Sequence, residues 1–234
     1  MNLILLFNDD FISKERVRLV DYRRDHIVSI LKAKAGDVLC VGLCDGLMGG
    51  ARVASADDEV ILDVSLTQPP PKPLPVTLIM ALPRPHVLKR TLLCAASLGI
   101  KKIIILNFNR VEKSLWNSSA LKPESIKMQL VLGLEQAKDT IMPEVILKDR
   151  FKAFVQDDLP AITDNSLPLL AHPGGKISCP RKVDQAVTLV IGPEGGIIDH
   201  ELQLFENIGF KTMDLGSRIL RVESVLPYII GLLG

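Results

Sequence analysis

The sequence predicts an α/β protein in which a small β-rich domain precedes a larger domain built on a parallel sheet. Three observations support this prediction. Short strands and one helix occupy about the first 70 residues, a proline-rich segment follows, and strands then alternate with helices along the rest of the sequence. This change of rhythm is typical of two domains with different architectures.

The N-terminal part has a pattern of short strands separated by turns. Residues Asn2–Phe7 form the first predicted strand, and Asp21–Leu31 carry apolar residues at helical spacing. Further strands are predicted at Asp37–Leu43, Gly49–Ser55 and Val60–Leu66, between turn signals such as AGD and ADDE. Short strands with a single helix over this length predict a small β-barrel.

The proline-rich segment is TQPPPKPLP, at Thr67–Pro75. Proline fixes one backbone angle and lacks the N–H donor, so this segment cannot lie inside a helix or a central strand. Such sequences form semi-rigid spacers of the polyproline type. We therefore predict two domains, at residues 1–70 and 71–234.

Strands and helices alternate after the spacer, which predicts a parallel sheet with helices on both faces. Ligands of such sheets bind at the carboxyl ends of the strands. The predicted strands are Val76–Leu82, Lys102–Leu106, Leu167–Ala171, Val187–Ile191 and Phe210–Leu215, and the predicted helices are His86–Leu98, Pro123–Lys138, Asp199–Ile208 and Val222–Leu233.

The composition is ordinary for a soluble globular protein, with 234 residues, 47% of them hydrophobic and 24% charged. No apolar run is long enough to span a membrane, and the first strand lacks the basic residues of a signal peptide. The four cysteines show no CxxC spacing and the four histidines no HxxxH pair. We therefore expect a cytoplasmic protein with reduced thiols, no membrane partner and no metal site.

The net charge of +1 argues against a surface that is basic throughout. Basic residues are nevertheless concentrated between Lys14 and Lys34, where a local face could contact phosphates. The alternative is a solvated helix and loop surface without a partner. The basic residues of this segment are Lys14, Arg16, Arg18, Arg23, Arg24, Lys32 and Lys34.

Three predicted strands of the second part end in unusual loops, at Ala171–Gly175, Gly192–Gly196 and Leu215–Ser224. Because parallel strands end at the same edge of a sheet, we expect these loops to converge. Glycine lets the backbone approach a ligand closely, so the loops could present backbone groups to a flat ring such as adenine. The sequence has neither a phosphate-binding GxxxxGK[ST] motif nor a dinucleotide-binding GxGxxG motif.

The motifs VIGPEGG at Val190–Gly196 and LGSRILRVES at Leu215–Ser224, followed by an apolar terminal helix, resemble the RsmE family of the SPOUT class of RNA methyltransferases. The His172-Pro173 step is similar too, as is the order of a small barrel, a linker and an α/β domain. The resemblance implies a C-terminal trefoil knot, which binds S-adenosylmethionine, and an N-terminal PUA-like barrel, which binds RNA. It also implies a homodimer that methylates N3 of a uridine in 16S ribosomal RNA of the small subunit.

The resemblance, together with the expected convergence of the loops, places the cofactor in all three loops. The backbone is expected to surround the adenosine, and Ile219 and Leu220 are expected to supply an apolar wall, unless they are simply core residues. The predicted cofactor-binding residues are His172, Pro173, Ile191, Gly192, Pro193, Glu194, Gly195, Gly196, Leu215, Gly216, Ile219, Leu220 and Ser224.

Arg221 and Glu223 are the predicted catalytic residues. Methylation of uracil N3 requires removal of its proton, and a guanidinium can stabilise the resulting anion. Glu223 could orient Arg221 or accept the proton. The alternative is a structural ion pair at the start of a helix, where a glutamate is favourable in any case.

The target uridine must be flipped out or single-stranded, because N3 is buried in a base pair. Basic residues in both parts of the chain are predicted to contact the RNA phosphates. Two alternatives stay open, a methyltransferase of the same class acting on another RNA position and a catalytically inactive RNA-binding module. The predicted RNA-binding residues are Arg16, Arg18, Arg23, Arg24, Lys32, Arg84, Lys89 and Arg90.

Overall fold

The computed structural model describes residues 2–234, so that Met1, the first residue of the predicted domain 1–70, lies outside the described residues. Contacts divide the chain into two compact units. The first unit comprises the residues up to Lys72 together with Val131–Met142, and the second comprises Pro73–Leu130 and Pro143–Gly234. The units therefore differ from the predicted domains 1–70 and 71–234 in the placement of Val131–Met142.

The first unit contains a six-stranded mixed sheet in the order β1-β4-β5-β6-β3-β2. The pairing of β1 with β4 is parallel, and the other pairings are antiparallel. In the described residues, β1 and β2 lie at the two ends of this strand order, so the barrel that the sequence predicted is not confirmed. The strands are β1 (Ile4–Leu6), β2 (Phe11–Ser13), β3 (Arg16–Leu19), β4 (Val38–Leu43), β5 (Met48–Ala56) and β6 (Val60–Gln68), with helix α1 (Tyr22–Asp25) continuing as a π-helical turn at His26–Ile30.

Alternation along the first strand explains why Val131–Met142 belongs to this unit. Successive side chains of a strand point to opposite faces of the sheet. Ile4 packs into the main hydrophobic core of the sheet, whereas Leu3 and Leu5 are buried on the other side against Val131 and Leu134. A hydrophobic contact between segments about 130 residues apart thus completes the first unit.

The second unit contains a seven-stranded sheet in the order β11-β13-β10-β12-β7-β8-β9, and every pairing in it is parallel. The predicted α/β architecture with a parallel sheet is therefore confirmed. The strands are β7 (Leu74–Ala81), β8 (Ile100–Leu106), β9 (Glu144–Lys148), β10 (Leu167–Ala171), β11 (Ile177–Ser178), β12 (Val187–Ile191) and β13 (Lys211–Asp214). The helices that follow α1 in the chain are α2 (Pro85–Ser97), α3 (Pro123–Ala137), α4 (Phe151–Ala153), α5 (Leu159–Thr163), α6 (Asp199–Asn207) and α7 (Val222–Leu233).

The register of the parallel strands brings their carboxyl ends to one edge. Ala171 at the end of β10 lies opposite Ile191 on one side and Met213 on the other. Ile191 in turn lies opposite Met80 near the end of β7. The loops that follow β7, β10, β12 and β13 consequently leave the sheet side by side. Among residues 2–234, no helix is both long enough and apolar enough to cross a membrane.

Candidate active site

A cavity of about 740 Å³ opens at the carboxyl edge of the parallel sheet, within the second unit. Its volume lies within the range of small-molecule sites in proteins. The loops after β7, β10, β12 and β13 and the first turn of α7 form its walls. The three loops at Ala171–Gly175, Gly192–Gly196 and Leu215–Ser224 therefore converge, as predicted from their positions at the ends of parallel strands.

The GPEGG turn after β12 forms one wall of the cavity. Gly192 and Gly196 are each required in this turn for a different steric reason. The amide of Gly196 donates to the carbonyl of Pro193 at 2.8 Å, which closes the turn. Gly196 has a φ of 79°, a conformation that side chains disfavour. A Cβ on Gly192 would lie 2.5 Å from Cγ1 of Ile197, so glycine is needed for the turn to fold back on its own chain.

The loop after β10 packs its backbone directly on the end of β13. The amide of His172 donates to the carbonyl of Met213 at 3.0 Å, and the amide of Gly175 donates to the carbonyl of His172 at 2.9 Å. A Cβ on Gly175 would overlap the backbone of Met213 and Asp214. The absence of a side chain at this glycine therefore lets two of the cavity's loops meet.

The loop after β13 leads into α7 and carries the predicted catalytic residues. Arg221 is extended (φ −76°, ψ 154°), and its carbonyl accepts the amide of Ser224 at 2.8 Å to start the helix. Arg221 is exposed, and Glu223 is half-buried in the first helical turn; both line the cavity. Ile219 lines the cavity with 87% of its surface exposed, so the alternative that it is a core residue is wrong.

Charges of both signs line the cavity. The guanidinium of Arg84 and the carboxylate of Glu194 face each other, with Nε and Oε2 4.0 Å apart. Both side chains are about half exposed, so this contact contributes little to stability and leaves both groups accessible to a ligand. The remaining charged residues of the lining are Asp214, Arg218, Arg221 and Glu223.

Most of the predicted cofactor-binding residues line this cavity, and two of them do not. Gly195 and Ser224 are exposed outside the lining, and the carbonyl of Gly195 instead accepts a hydrogen bond from Arg110. The predicted residues that the lining includes are His172, Pro173, Ile191, Gly192, Pro193, Glu194, Gly196, Leu215, Gly216, Ile219 and Leu220.

Sequence reasoning missed several residues of the lining. His86 and Val87 belong to the start of α2, beyond β7, which neighbours β12 in the sheet. Asp214 is the last residue of β13 and directly precedes the predicted loop. A signal existed for all three positions, because the end of a parallel strand and the start of the segment that follows it are site candidates in any sheet of this kind.

The predicted RNA-binding residues have different environments, and the prediction for Arg23 is wrong. Its side chain is 5% exposed and binds Asp10 at 2.6 Å and Asp21 at 2.8 Å, so it is not available to a phosphate. Three other arginines of the first unit have partners at the surface: Arg16 pairs with Asp63, Arg18 with Glu59, and Arg24 with Asp25 and the carbonyl of Asp57. Exposed positions are found for Lys32 in the first unit and for Arg84, Lys89 and Arg90 in the second.

The described residues contain no group of three or more His, Cys, Asp or Glu side chains arranged to hold a metal ion. The charged and polar groups of the cavity come instead from the loop ends described above. Their arrangement, with an apolar wall beside cations and carboxylates, suits an organic ligand that carries charge.

Residues 70–234 match the RNA methyltransferase domain family. Among curated proteins, the chain is 27% identical over 231 residues to the ribosomal RNA small subunit methyltransferase E of Treponema pallidum, covering 96% of this chain and 87% of the relative. It is also 27% identical over 229 residues to the ribosomal RNA small subunit methyltransferase E 1 of Borreliella burgdorferi, covering 96% and 93%.

Solved structures share the fold over nearly the whole chain. A methyltransferase of Legionella pneumophila in complex with bound SAM superimposes with a TM-score of 0.78 at 23% identity, covering 99% of this chain and 95% of that one. A ribosomal RNA small subunit methyltransferase E of Neisseria gonorrhoeae, bound to S-adenosyl methionine, gives a TM-score of 0.70 at 21% identity, covering 98% and 96%. At these identities the likeness establishes the fold alone.

Proposed function

Since the chain belongs to the RNA methyltransferase domain family, and within it to the RsmE family, we propose that it transfers a methyl group from S-adenosylmethionine to N3 of a uridine in 16S ribosomal RNA. The observation that supports this most is the cavity where three glycine-containing loops meet at the carboxyl edge of the sheet. The curated relatives of similar length, which are named as methyltransferases of the small ribosomal subunit, support the substrate.

The lining of the cavity fits S-adenosylmethionine. Buried Ile191 and half-buried Leu220 offer an apolar wall for the adenine ring, next to backbone that glycines leave open. Carboxylates at Glu194 and Asp214 can balance the positive charges of the cofactor. When bound, the cofactor would supply a methyl group attached to a positively charged sulfur, and the sulfur would be left as a neutral thioether after the transfer.

Arg221 and Glu223 provide the groups that the reaction requires from the protein. The N3 proton of uracil must leave before the nitrogen can bond to the methyl carbon. The exposed guanidinium of Arg221 stabilises the resulting negative charge on the base. Glu223, two residues further on in the same lining, either orients this guanidinium or accepts the proton.

RNA contacts are proposed for the predicted basic residues other than Arg23; all of these are exposed except Arg24, which is half-buried. Arg84 lines the cavity, and Lys89 and Arg90 follow it on the exposed side of α2. This position supports contacts of the three cations with the backbone of an RNA whose base enters the cavity. In the first unit the corresponding candidates are Arg16, Arg18, Arg24 and Lys32. The carboxylate partners of the three arginines would have to be exchanged for phosphates on binding.

Three finer features also belong to this proposal: a trefoil knot at the C-terminal loops, a PUA-like character of the first unit, and a homodimer. The exposed side of α7 supports the homodimer, because it presents Pro227, Tyr228 and Gly231 with no charged group among them. Apolar and small residues of this kind allow a second helix to approach closely. A ribosomal RNA substrate supports a location in the cytoplasm.

The test is transfer of a labelled methyl group from S-adenosylmethionine to small ribosomal subunits that lack this modification, combined with a titration of the cofactor alone. We expect micromolar binding of the cofactor and incorporation of label into 16S RNA. Binding without transfer to any ribosomal RNA would favour the catalytically inactive RNA-binding module. No binding of the cofactor would contradict the proposed function altogether.

A further inference from the structure

The loop after β8 lies against the GPEGG turn and contacts it through Arg110. The Nη1 atom of Arg110 donates to the carbonyl of Gly195 at 2.6 Å. A Cβ added to Gly195 would lie 3.2 Å from the Cβ of Arg110, and one added to Gly196 would lie 3.4 Å from Nη1. Both consecutive glycines of the motif therefore lie next to the side chain of Arg110.

A second hydrogen bond connects the same loop to the segment that follows the turn. Glu201, in the first turn of α6, is 3% exposed, and its carboxylate accepts the amide of Asn109 at 2.7 Å. The same carboxylate accepts the amide of Ile198 at 3.4 Å. The adjacent residues Asn109 and Arg110 thus hold the chain on both sides of Gly196.

The loop itself is anchored in the core next to these contacts. Phe108, directly before Asn109, is 2% exposed and stacks on Phe205 with ring centroids 6.0 Å apart. Its ring also meets the edge of Phe151 at 5.0 Å. Arg110 therefore projects from a fixed support, so its hydrogen bond can restrict the turn.

We infer that Arg110 is a positioning residue, which holds the GPEGG turn in the shape that accepts the methyl donor; this inference rests on the proposed function of the cavity. Two adjacent glycines give the turn a wide range of backbone conformations, and ordering them on binding would weaken affinity. The contact of Arg110 with Gly195 removes part of that freedom before the ligand arrives. Its guanidinium reaches the turn from outside the cavity lining, so Arg110 acts through the turn without touching the ligand.

The test compares Arg110→Ala and Arg110→Lys with a matched control, Arg52→Ala. Arg52 is also exposed and also donates from Nη1 to a glycine carbonyl, that of Gly36 at 3.1 Å, but it belongs to the first unit. Hydrogen exchange of the peptide that contains Gly196 is measured in the ligand-free protein. Binding of S-adenosylmethionine is measured by calorimetry on the same samples.

We expect Arg110→Ala to accelerate exchange at the Gly196 amide and to weaken cofactor binding, each by about fivefold, the factor expected for one hydrogen bond. Arg110→Lys keeps the charge and one donor, so it should give an intermediate value in both measurements. Arg52→Ala should change neither.

Unchanged exchange of the turn in Arg110→Ala would overturn the inference, and so would accelerated exchange with unchanged cofactor affinity. A wild-type protein that binds no S-adenosylmethionine would overturn the proposed function instead. In that case the exchange measurement would still decide whether Arg110 holds the turn.

Discussion

The guanidinium of Arg23 binds both carboxylate oxygens of Asp10, at 2.6 and 2.7 Å, inside the first unit. The same group donates to Asp21 and to the backbone carbonyl of Leu5. Burial alone would raise the pKa of Asp21, but the hydrogen bonds and the charge of Arg23 outweigh it and lower that pKa. An arginine that the sequence places on a basic surface is therefore the buried centre of an ionic cluster, which ties α1 to the first strand and to the turn after it.

Replacing Arg23 should destabilise the protein. Arg23→Ala leaves the mostly buried carboxylate of Asp10 and the buried carbonyl of Leu5 without their cation, and loss of one partner of a buried pair typically costs about 3–5 kcal/mol. Arg16→Ala is the matched control, since the pair of Arg16 with Asp63 is exposed and exposed pairs contribute little to stability. Urea unfolding measures both. A stable Arg23→Ala variant with weakened RNA binding would restore the phosphate-binding interpretation.

Glu135 should make the stability of the first unit depend on pH. It is 1% exposed, and burial raises its pKa to about 7, although the hydrogen bond from the Leu5 amide acts in the opposite direction. Because the folded pKa exceeds the ordinary value of 4.5, this group's contribution to stability is fully present below that value and is lost as the pH rises to about 7.

The variant Glu135→Gln removes this titration and can still accept hydrogen bonds from the Leu5 amide and the Tyr22 hydroxyl. We expect it to match the wild type at pH 4.5 and to exceed it at pH 8 by up to about 3 kcal/mol. Thermal unfolding across this range is the measurement. A constant difference between the two proteins at every pH would show that Glu135 does not titrate there.

Gly175 should be essential for the cavity. In Gly175→Val the added side chain would overlap the backbone of Met213 and Asp214, so the loop after β10 must move away from β13. We expect cofactor affinity to fall by at least about tenfold, because the two loops form adjacent walls. Gly50→Ala is the control, since its Cβ would make an ordinary contact of 3.5 Å with Val38. Calorimetry on folded samples decides, and equal affinities would be incompatible with the assigned site.

Arg221 should act on the chemical step more than on cofactor binding. Loss of a group that stabilises developing charge typically lowers kcat by about 100- to 1000-fold, so Arg221→Ala should do so with little change in cofactor affinity. Arg181→Ala removes an exposed arginine outside the cavity lining and should leave kcat unchanged. Single-turnover methyl transfer measures this; an unchanged rate in Arg221→Ala would leave this residue only a structural role.

Two substitutions at Glu223 separate the roles left open for it. Glutamine can still orient a guanidinium through its carbonyl oxygen but cannot accept the N3 proton. If Glu223 orients Arg221, the kcat of Glu223→Gln should exceed that of Glu223→Ala by about tenfold or more. If Glu223 is the base, both variants should lose activity to the same extent.

Periodicity predicts the parallel sheet well because its strands are buried on both faces. The predicted strands Leu167–Ala171 and Val187–Ile191 coincide with β10 and β12, and the loops that follow them are the loops of the cavity. The strand Glu144–Lys148 was not predicted, because β9 lies at the sheet edge and is only partly buried, with charged residues at both ends.

What the sequence could not predict depends on contacts between distant segments. The burial of Arg23 requires Asp10 and the chain at Leu5 to meet it, and no local pattern distinguishes such an arginine from its exposed neighbours. The support of Gly195 by Arg110 joins positions 85 residues apart in the sequence. The motif indicated that glycine occupies this turn, and the structure supplies one reason: the side chain of Arg110 lies close to Gly195.

The most direct test of the central claim, that the cavity at the carboxyl edge serves methylation of uridine N3 in 16S RNA, is the identity of the product. Small ribosomal subunits that lack the modification are incubated with the protein and S-adenosylmethionine, and the methylated nucleoside is identified by mass spectrometry. We predict N3-methyluridine in 16S RNA, and its loss with the Arg221→Ala variant. A methyl group on another base, or on a ribose, would contradict the assigned position.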